Sequence, residues 1–391
     1  MLRGVHDRQR FRGCTQCADA LGARCGALRY IPAMDDAVLR PLLNAVQSGN
    51  LSIDRALTQL QTLQSAGTPL YASSSHTDEF ERVRELAQLF NQPALEAQAV
   101  QLGIGDDAAV LRQSAHPWVF SVDVAVQGVH FDPRFASWDV LGARAFNAAL
   151  SDLAAMGATP VAALSASIVP ASLSAADFSA LHAGIARAAA EHACPVVGGN
   201  LSSGRELSVT TTVIGHLRGH GMFRSAARAG DAIYVTGTLG SAALGLRLLQ
   251  RNQPELGPRF VEAWRAPQAR IREGLLLVDY AHAAIDVSDG AYQDLGHICA
   301  ASALSAELEA TRIPLAPGFA ALAEELGEQP LALALLGGED YELIYTLPED
   351  AAPGPGTCIG RMLPATAGPQ VRVLDQHAQP VMLEGRAFRH F

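Results

Sequence analysis

The chain contains no lysine: all 29 of its basic residues are arginine. This absence excludes several chemistries. A Walker A loop needs its lysine on the phosphates, and Schiff-base or pyridoxal enzymes need one for the carbonyl. Any phosphate bound here is neutralised by arginine, backbone N–H groups or metal. Nor is there an uninterrupted apolar run of the roughly 18 residues that a membrane span needs. The alanine-rich stretch 143–171 is broken by Asp152, Gly157 and two prolines. The formal net charge of −10 removes the positive field that a general nucleic-acid binder requires. The N-terminus, MLRGVHDRQRFRG, has no apolar core followed by a cleavage site, so it does not read as a secretory signal. It is Arg-rich and acid-poor, which weakly resembles an organelle transit segment. A loose tail, or a start upstream of the true one at Met34, is the plainer reading. Cysteines number six. Cys14 and Cys17 form a CxxC near Cys25, but no second pair stands at zinc spacing. Cys194, Cys299 and Cys358 read as buried free thiols of a reducing cytoplasm. There is no GxSxG and no Cys–His signature, which favours direct group transfer over a covalent intermediate.

What is present points to a folded chain. Nearly half of the 391 residues are apolar, enough for a sizeable core and for two domains plus an extension. Residues 35–66 read as a short helical pair, with Leu39, Leu42, Leu43 and Val46 on one face. Residues 67–76 read as a linker. From residue 77 onward strands and helices alternate. Helices are expected near 77–90, at 138–156, in the serine-capped stretch after 172, at 241–250 and around 291–302. Strands are expected in WVFSVDVAV, ATPVAALSASIV, ELSVTTTVIGHL and AIYVTG, and in CPVVGGN, where a strand enters a glycine turn. The mixture predicts an α/β (α+β) fold in two halves, divided near the loop RGHGMFRSAARAGD. The expected domains are 1–76, 77–220 and 221–391.

Polar clusters sit at glycine-rich turns and strand ends. They are Asp106-Asp107; Ser121 and Asp123, with His130; Ser151-Asp152; Gly199-Asn200; Asp286, Ser288 and Asp289; and Glu339-Asp340. Singly, such pairs usually just make turns. Together they say more. Asp123 and Asp152 lie in apolar segments, where a charge is costly unless paired or metal-bound. With no lysine and few arginines nearby, hard divalent cations satisfy such carboxylates, typically sharing coordination with substrate phosphates. Arg224 and Arg228 flank the domain boundary and read either as phosphate contacts or as solvated surface groups. The loop Gly237–Ser241 follows a strand and opens a helix, which suits an anion but also simple turn chemistry. His130 reads as structural or functional.

In order, DEFERVRELAQLF, GIGDDAAVL, DVAVQGVHF, ALSDLAAMGATP, GGNLSSG, IDVSDGAYQDLGHI and GGEDYELIYTL resemble the pattern of thiamine-monophosphate kinases, members of the aminoimidazole-ribonucleotide-synthetase-like superfamily. The match runs from about residue 77 to the end. The resemblance implies a two-domain fold of that superfamily, with an N-terminal sheet-and-helix domain forming a homodimer and a C-terminal α/β domain. It implies a cytoplasmic kinase that takes ATP and thiamine monophosphate as substrates and Mg2+ as cofactor. Asp107, Ser121, Asp123, Asp152, Asn200, Asp286 and Asp289 would then serve the metal. Gly199, Asn200, Arg224 and Ser288 would serve ATP. His130, Glu339 and Phe388 would serve the acceptor.

The chain departs from the pattern at several positions. Asn200 replaces the aspartate of GGDT, and Val122 replaces a hydroxyl residue beside Asp123. Gln127, Ala149 and Ala291 differ too, and the segment usually written HLxPxPR is here WRAPQAR (264–270). An amide still ligates through oxygen but brings no charge, so a metal served by Asn200 should bind more weakly. Two other readings stay open on these changes: a superfamily relative acting on another small acceptor, and a catalytically impaired nucleotide-binding protein.

Overall fold

The computed structural model describes residues 79–91, 99–104, 108–352, 354–366 and 368–385. The helical pair expected at 35–66, the CxxC, Asp107 and Phe388 lie outside these residues. Among the described residues no helix is long and apolar enough to cross a membrane.

After a short helix, α1 (Glu79–Leu89), and a two-stranded ribbon, β1 (Val100–Leu102) with β2 (Val110–Leu111), come two sheets. The first is built from β3 (Trp118–Val126), β4 (Ala158–Pro170), β5 (Val196–Gly204) and β6 (Ser208–Leu217), in the order β3-β6-β4-β5. Its pairs are antiparallel except β4–β5, which is parallel. Two helices, α2 (Trp138–Met156) and α3 (Ala175–Glu191), complete this half. Ser174 caps α3 by accepting the N–H of Asp177 at 3.1 Å. The two helices cross at glycines. A Cβ on Gly142 would lie 1.9 Å from the carbonyl oxygen of Leu181, and one on Gly184 would lie 1.8 Å from that of Asp139. Any larger residue would push the pair apart.

The expected turn in CPVVGGN is not a turn. β5 continues through Gly198-Gly199 to Gly204, with a one-residue register shift against β4 between Val196 and Gly198. The glycines answer a different need: the backbone of β4 approaches so closely that a Cβ on Gly199 would meet the carbonyl oxygen of Ser165 at 1.8 Å.

The second half contains β7 (Ala232–Val235), α4 (Ser241–Gln250), α5 (Pro258–Arg265), α6 (Ile271–Leu277), β8 (Ala283–Asp286), α7 (Ala291–Ser302), β9 (Leu304–Glu309), α8 (Phe319–Glu325), α9 (Pro330–Leu336), β10 (Leu343–Leu347), β11 (Thr357–Pro364) and β12 (Val371–Leu374). Its six-stranded sheet has the order β12-β9-β11-β7-β10-β8. All pairs are antiparallel except β12–β9.

Helix α2 belongs to both halves. Its residues Phe146, Leu150 and Leu153 lie in the large core, whereas Ala154 and Ala155 pack with Leu277, Ala284, Leu343 and Tyr345 of the second half. A Cβ on Gly274 of α6 would lie 2.1 Å from the carbonyl oxygen of Ala154. A helix apolar on most sides is one that is enclosed. That enclosure brings its one interior carboxylate, Asp152, to the seam.

Candidate active site

The period-2 alternation of β3 decides which of its side chains face the seam. Ser121 and Asp123 are half-buried, while Phe120, Val122 and Val124 are exposed. Ser121 Oγ donates a hydrogen bond to Asp152 Oδ2 on α2. From the other half, β8 ends at Asp286, which is buried. Burial, and next the charge of Asp152, push the Asp286 carboxyl up to about 7. Burial also raises Asp152; Asp123 adds to this rise, while the Ser121 hydrogen bond and the charge of Arg224 oppose it. Arg224 is exposed, yet its charge reaches both Asp152 and Asp286. These are carboxylates assembled at an electrostatic cost.

The turn after β8 is fixed by a residue that the motif reading passed over. Asp294, one turn into α7, accepts the backbone N–H of Ser288 at 3.1 Å, of Asp289 at 3.2 Å and of Gly290 at 3.0 Å, all on Oδ2. Gln293 Nε2 donates to Asp289 Oδ2 at 3.1 Å.

The segment GGEDYE (337–342) uses each acid differently. Glu339 accepts from Arg144 of α2 and from Trp264 Nε1. Asp340 accepts the N–H of Gly240 and of Ala242, so it occupies the start of α4. Glu342 pairs with Arg270, which donates from Nε at 2.7 Å, and accepts from Thr236 Oγ1 at 2.6 Å. Glu339 and Tyr341 have φ of 70° and 51°. Such left-handed backbone at non-glycine residues is uncommon and is retained where the surroundings over-determine it. Here Glu339 N–H donates to Ser288 O at 2.8 Å and Tyr341 N–H to Val287 O at 2.9 Å.

A cavity of about 880 Å³ lies along this seam. Asp123, Asp152, Asp286, Ser288 and Asp289 line it, together with His130 and Glu339. Apolar and aromatic wall is supplied by Phe131, Phe135, Trp264, Leu246 and Leu333. His130 accepts the N–H of Val126 on Nδ1 at 3.1 Å, so its neutral ring carries the proton on Nε2. Of the residues singled out from sequence, the structure therefore brings together seven in one cavity, with Ser121 bonded to one of them and Arg224 within their field. Gly199 and Asn200 lie exposed on the edge strand β5 and do not line it. The helix start at Gly237–Ser241, open to an external anion on sequence grounds, holds the carboxylate of Asp340.

The donor set fits magnesium better than a softer or caged metal. Its candidate donors are all carboxylate oxygens, drawn from both halves. Among the described residues, no group of three His, Cys, Asp or Glu side chains is arranged to hold a metal by itself. An incomplete, all-oxygen set suits a cation that retains waters and shares phosphate oxygens. Among the described residues no cysteine lines the cavity, and burial pushes the Cys194 thiol up to about 12 and that of Cys299 to about 11.

Comparison with known proteins agrees with this geometry. The family model described as AIR synthase related protein, N-terminal domain, matches residues 105–217. The thiamine-monophosphate kinase of Escherichia coli K12 is 35% identical over 322 residues, covering 78% of this chain and 97% of that protein. The namesake from Bacillus subtilis is 32% identical over 313 residues, covering 75% and 94%. Among solved structures, the Aquifex aeolicus thiamine monophosphate kinase superposes with a TM-score of 0.63 at 30% identity, covering 69% of this chain and 91% of that one. A structure described as AaThiL complexed with AMPPCP and TMP gives 0.65 at 29% identity, covering 81% and 100%. The hydrogenase maturation protein HypE in complex with ATP, at 21% identity and a TM-score of 0.64, shares the fold. On the seam geometry and on identity that spans nearly the whole of its relatives, the chain belongs to the thiamine-monophosphate kinase family.

Proposed function

We propose that this protein transfers the γ-phosphoryl group of ATP to the phosphate of thiamine monophosphate, giving thiamine diphosphate and ADP. The observation that carries the reading is the single cavity in which aspartates from both halves meet an apolar wall bearing Glu339 and His130. A carboxylate cluster repels two phosphate-bearing substrates unless cations stand between them, so the cluster is legible as the metal side of a phosphoryl-transfer site. Asp123, Asp152, Asp286 and Asp289 would hold Mg2+, with Ser121 orienting Asp152. When bound, the ion supplies charge neutralisation and orientation for the phosphates. Asp107 is proposed as a further ligand on sequence alone. So are a nucleotide role for Gly199, metal and nucleotide roles for Asn200, and an acceptor contact for Phe388.

The protein's own groups then act by positioning. The acceptor phosphate oxygen attacks the γ-phosphorus, the P–O bond to ADP breaks, and no enzyme-bound intermediate is needed. Ser288, held by the Asp294 turn, and Arg224 would contact the nucleotide. Glu339 and the Nε2–H of His130 would contact the acceptor.

We also propose a homodimer formed through the first sheet. Its outer face carries Phe120, Val122, Val124 and Ile168 exposed to solvent, with Phe120 63% and Ile168 45% accessible. Register aligns Phe120 with Ile214 and Val122 with Thr212 and Leu164. Exposed apolar side chains on both sides of the Ser208, Thr210 and Thr212 row of β6 favour an interaction surface.

The test of the activity is direct. Purified protein with ATP, Mg2+ and thiamine monophosphate should yield thiamine diphosphate by chromatography, and Asp152→Ala should abolish it. A folded wild-type protein that forms no product under these conditions would sink the acceptor assignment.

A further inference from the structure

Arg144 carries a buried charge, 6% exposed, on a helix of the first half, yet the partners of its guanidinium all lie in the second. Nη2 donates to Oε1 of Glu339, and Nη1 donates to the backbone oxygen of Trp264. The guanidinium lies over the Trp264 indole, 4.4 Å from the ring centroid. Trp264 in turn donates from Nε1 to the other oxygen of Glu339, Oε2, at 2.9 Å. The three side chains thus close a ring of contacts around one carboxylate. One turn farther along α2, Asn147 Nδ2 donates to Pro267 O at 2.9 Å, which pins the same 264–267 segment.

Glu339 and Trp264 both reach the ligand space, and Glu339 is the one that offers it a carboxylate. Its side chain is 25% exposed and lines the cavity, while its backbone sits at φ 70°. With one donor on each oxygen, the carboxylate cannot rotate about its terminal torsion. A glutamate left free would lose rotamer freedom when it gripped a ligand, and that loss would weaken binding. Here the freedom is already gone before the ligand arrives. Arginine suits the task and lysine does not: its planar fork supplies two separate donors and a face that stacks on indole. Its charge also offsets that of Glu339, so the carboxylate adds little repulsion toward a phosphate-bearing substrate.

We infer that Arg144, together with Trp264, is a positioning residue for acceptor recognition. The pair fixes the plane of the Glu339 carboxylate so that its remaining lone pairs accept from the N–H-bearing, cationic heteroaromatic part of the acceptor. This rests on the acceptor reading given above.

The test uses the full-length chain and four variants: Arg144→Lys, Trp264→Phe, Glu339→Gln and the double variant R144K/E339Q. Trp264→Phe keeps an aromatic face for Arg144 while removing the Nε1–H donor and part of the indole bulk, and it serves as the second variant if Arg144→Lys does not fold. Steady-state kinetics is paired with calorimetric binding of thiamine monophosphate. Loss of a charge-assisted hydrogen bond corresponds to roughly a tenfold effect. Arg144→Lys and Trp264→Phe are expected to raise the acceptor KM about tenfold and to weaken acceptor binding in parallel, leaving the ATP KM within about twofold. On the Glu339→Gln background, Arg144→Lys should add less than about twofold, because its target has already been altered. Equal rises in both KM values, or effects that multiply on that background, would show a merely structural role and overturn the inference. Variants that match an active wild type overturn it as well, while leaving the kinase reading intact. A wild type that neither binds nor phosphorylates thiamine monophosphate overturns the acceptor reading, and this role of Arg144 with it.

Discussion

The carboxylate of Asp340 accepts the backbone N–H of Gly240 at 2.5 Å, so the anion at the start of α4 is supplied by the protein itself. A second bond, from the N–H of Ala242 at 3.0 Å, completes the cap. Helix starts leave unpaired N–H groups and a partial positive charge, which a carboxylate satisfies. Asp340→Ala would strip both donors of their acceptor in a part-buried site. The expected cost is about 1–3 kcal/mol, read as a shift in the urea midpoint. Asp340→Asn keeps an acceptor oxygen and should lose less. An unchanged midpoint for Asp340→Ala would mean that the cap contributes nothing.

Asp294 is expected to matter for turnover although it belongs to no recognised cluster. Its Oδ2 gathers three consecutive N–H groups of the turn that presents Ser288 and Asp289 to the cavity. Asp294→Ala leaves all three unpaired and lets the turn relax. Small displacements of positioning groups cost about a hundredfold in rate. We expect kcat to fall at least tenfold and the ATP KM to rise, with circular dichroism showing a folded protein. Asp294→Asn, which retains one oxygen acceptor, should lie between. Wild-type kinetics from folded Asp294→Ala would remove the turn from the catalytic apparatus.

The homodimer predicts the effect of charge on the outer sheet face. Phe120→Glu and Ile168→Glu each put a carboxylate on a surface that would be desolvated between two copies, and neither residue lines the cavity. Light scattering coupled to size exclusion should show the wild type as a dimer and the double variant as a monomer. A wild-type monomer at micromolar concentration would refute the interface, as would a double variant that stays dimeric.

The elements were largely legible because their signals are local. The limits of α2 and α7 follow from helical periodicity, and those of β3 and β6 from alternation. The glycines of β5 misled because Gly-Gly usually signals a turn, whereas here it answers the close approach of β4, a partner that the local sequence does not reveal. The carboxylates of the cavity were legible as a set, since charges in apolar segments require a reason. Their supports were not. Asp294 looks like an ordinary polar residue of an amphipathic helix. Arg144 does stand out as the single base in an apolar helix, but its partners lie 120 and 195 residues away. Asp340 stands in the same acidic cluster as Glu339, yet its carboxylate turns to the start of α4, about 100 residues away in the chain, which no local pattern shows.

The pH dependence of stability should report on Asp286. Burial and the charge of Asp152 raise its carboxyl to about 7, against roughly 3.9 in an unfolded chain. Between these values the folded protein holds a proton that the unfolded chain has released. Stability from this group is therefore present at pH 4, falls as pH rises through 7, and levels off above. At about 1.4 kcal/mol per unit the upper bound is about 4 kcal/mol. Asp286→Asn removes this slope, so the variant should be more stable than metal-free wild type at pH 8 and nearly equal to it at pH 4.5. Mg2+ would narrow the difference by binding the ionised carboxylate: it should raise the wild-type melting temperature at pH 8 and raise that of Asp286→Asn less. Turnover should be lost in the variant at every pH. Denaturant titrations at the two pH values, with Mg2+ or with EDTA, decide the matter. Parallel pH profiles for wild type and Asp286→Asn would show that this carboxyl is not held protonated by its surroundings.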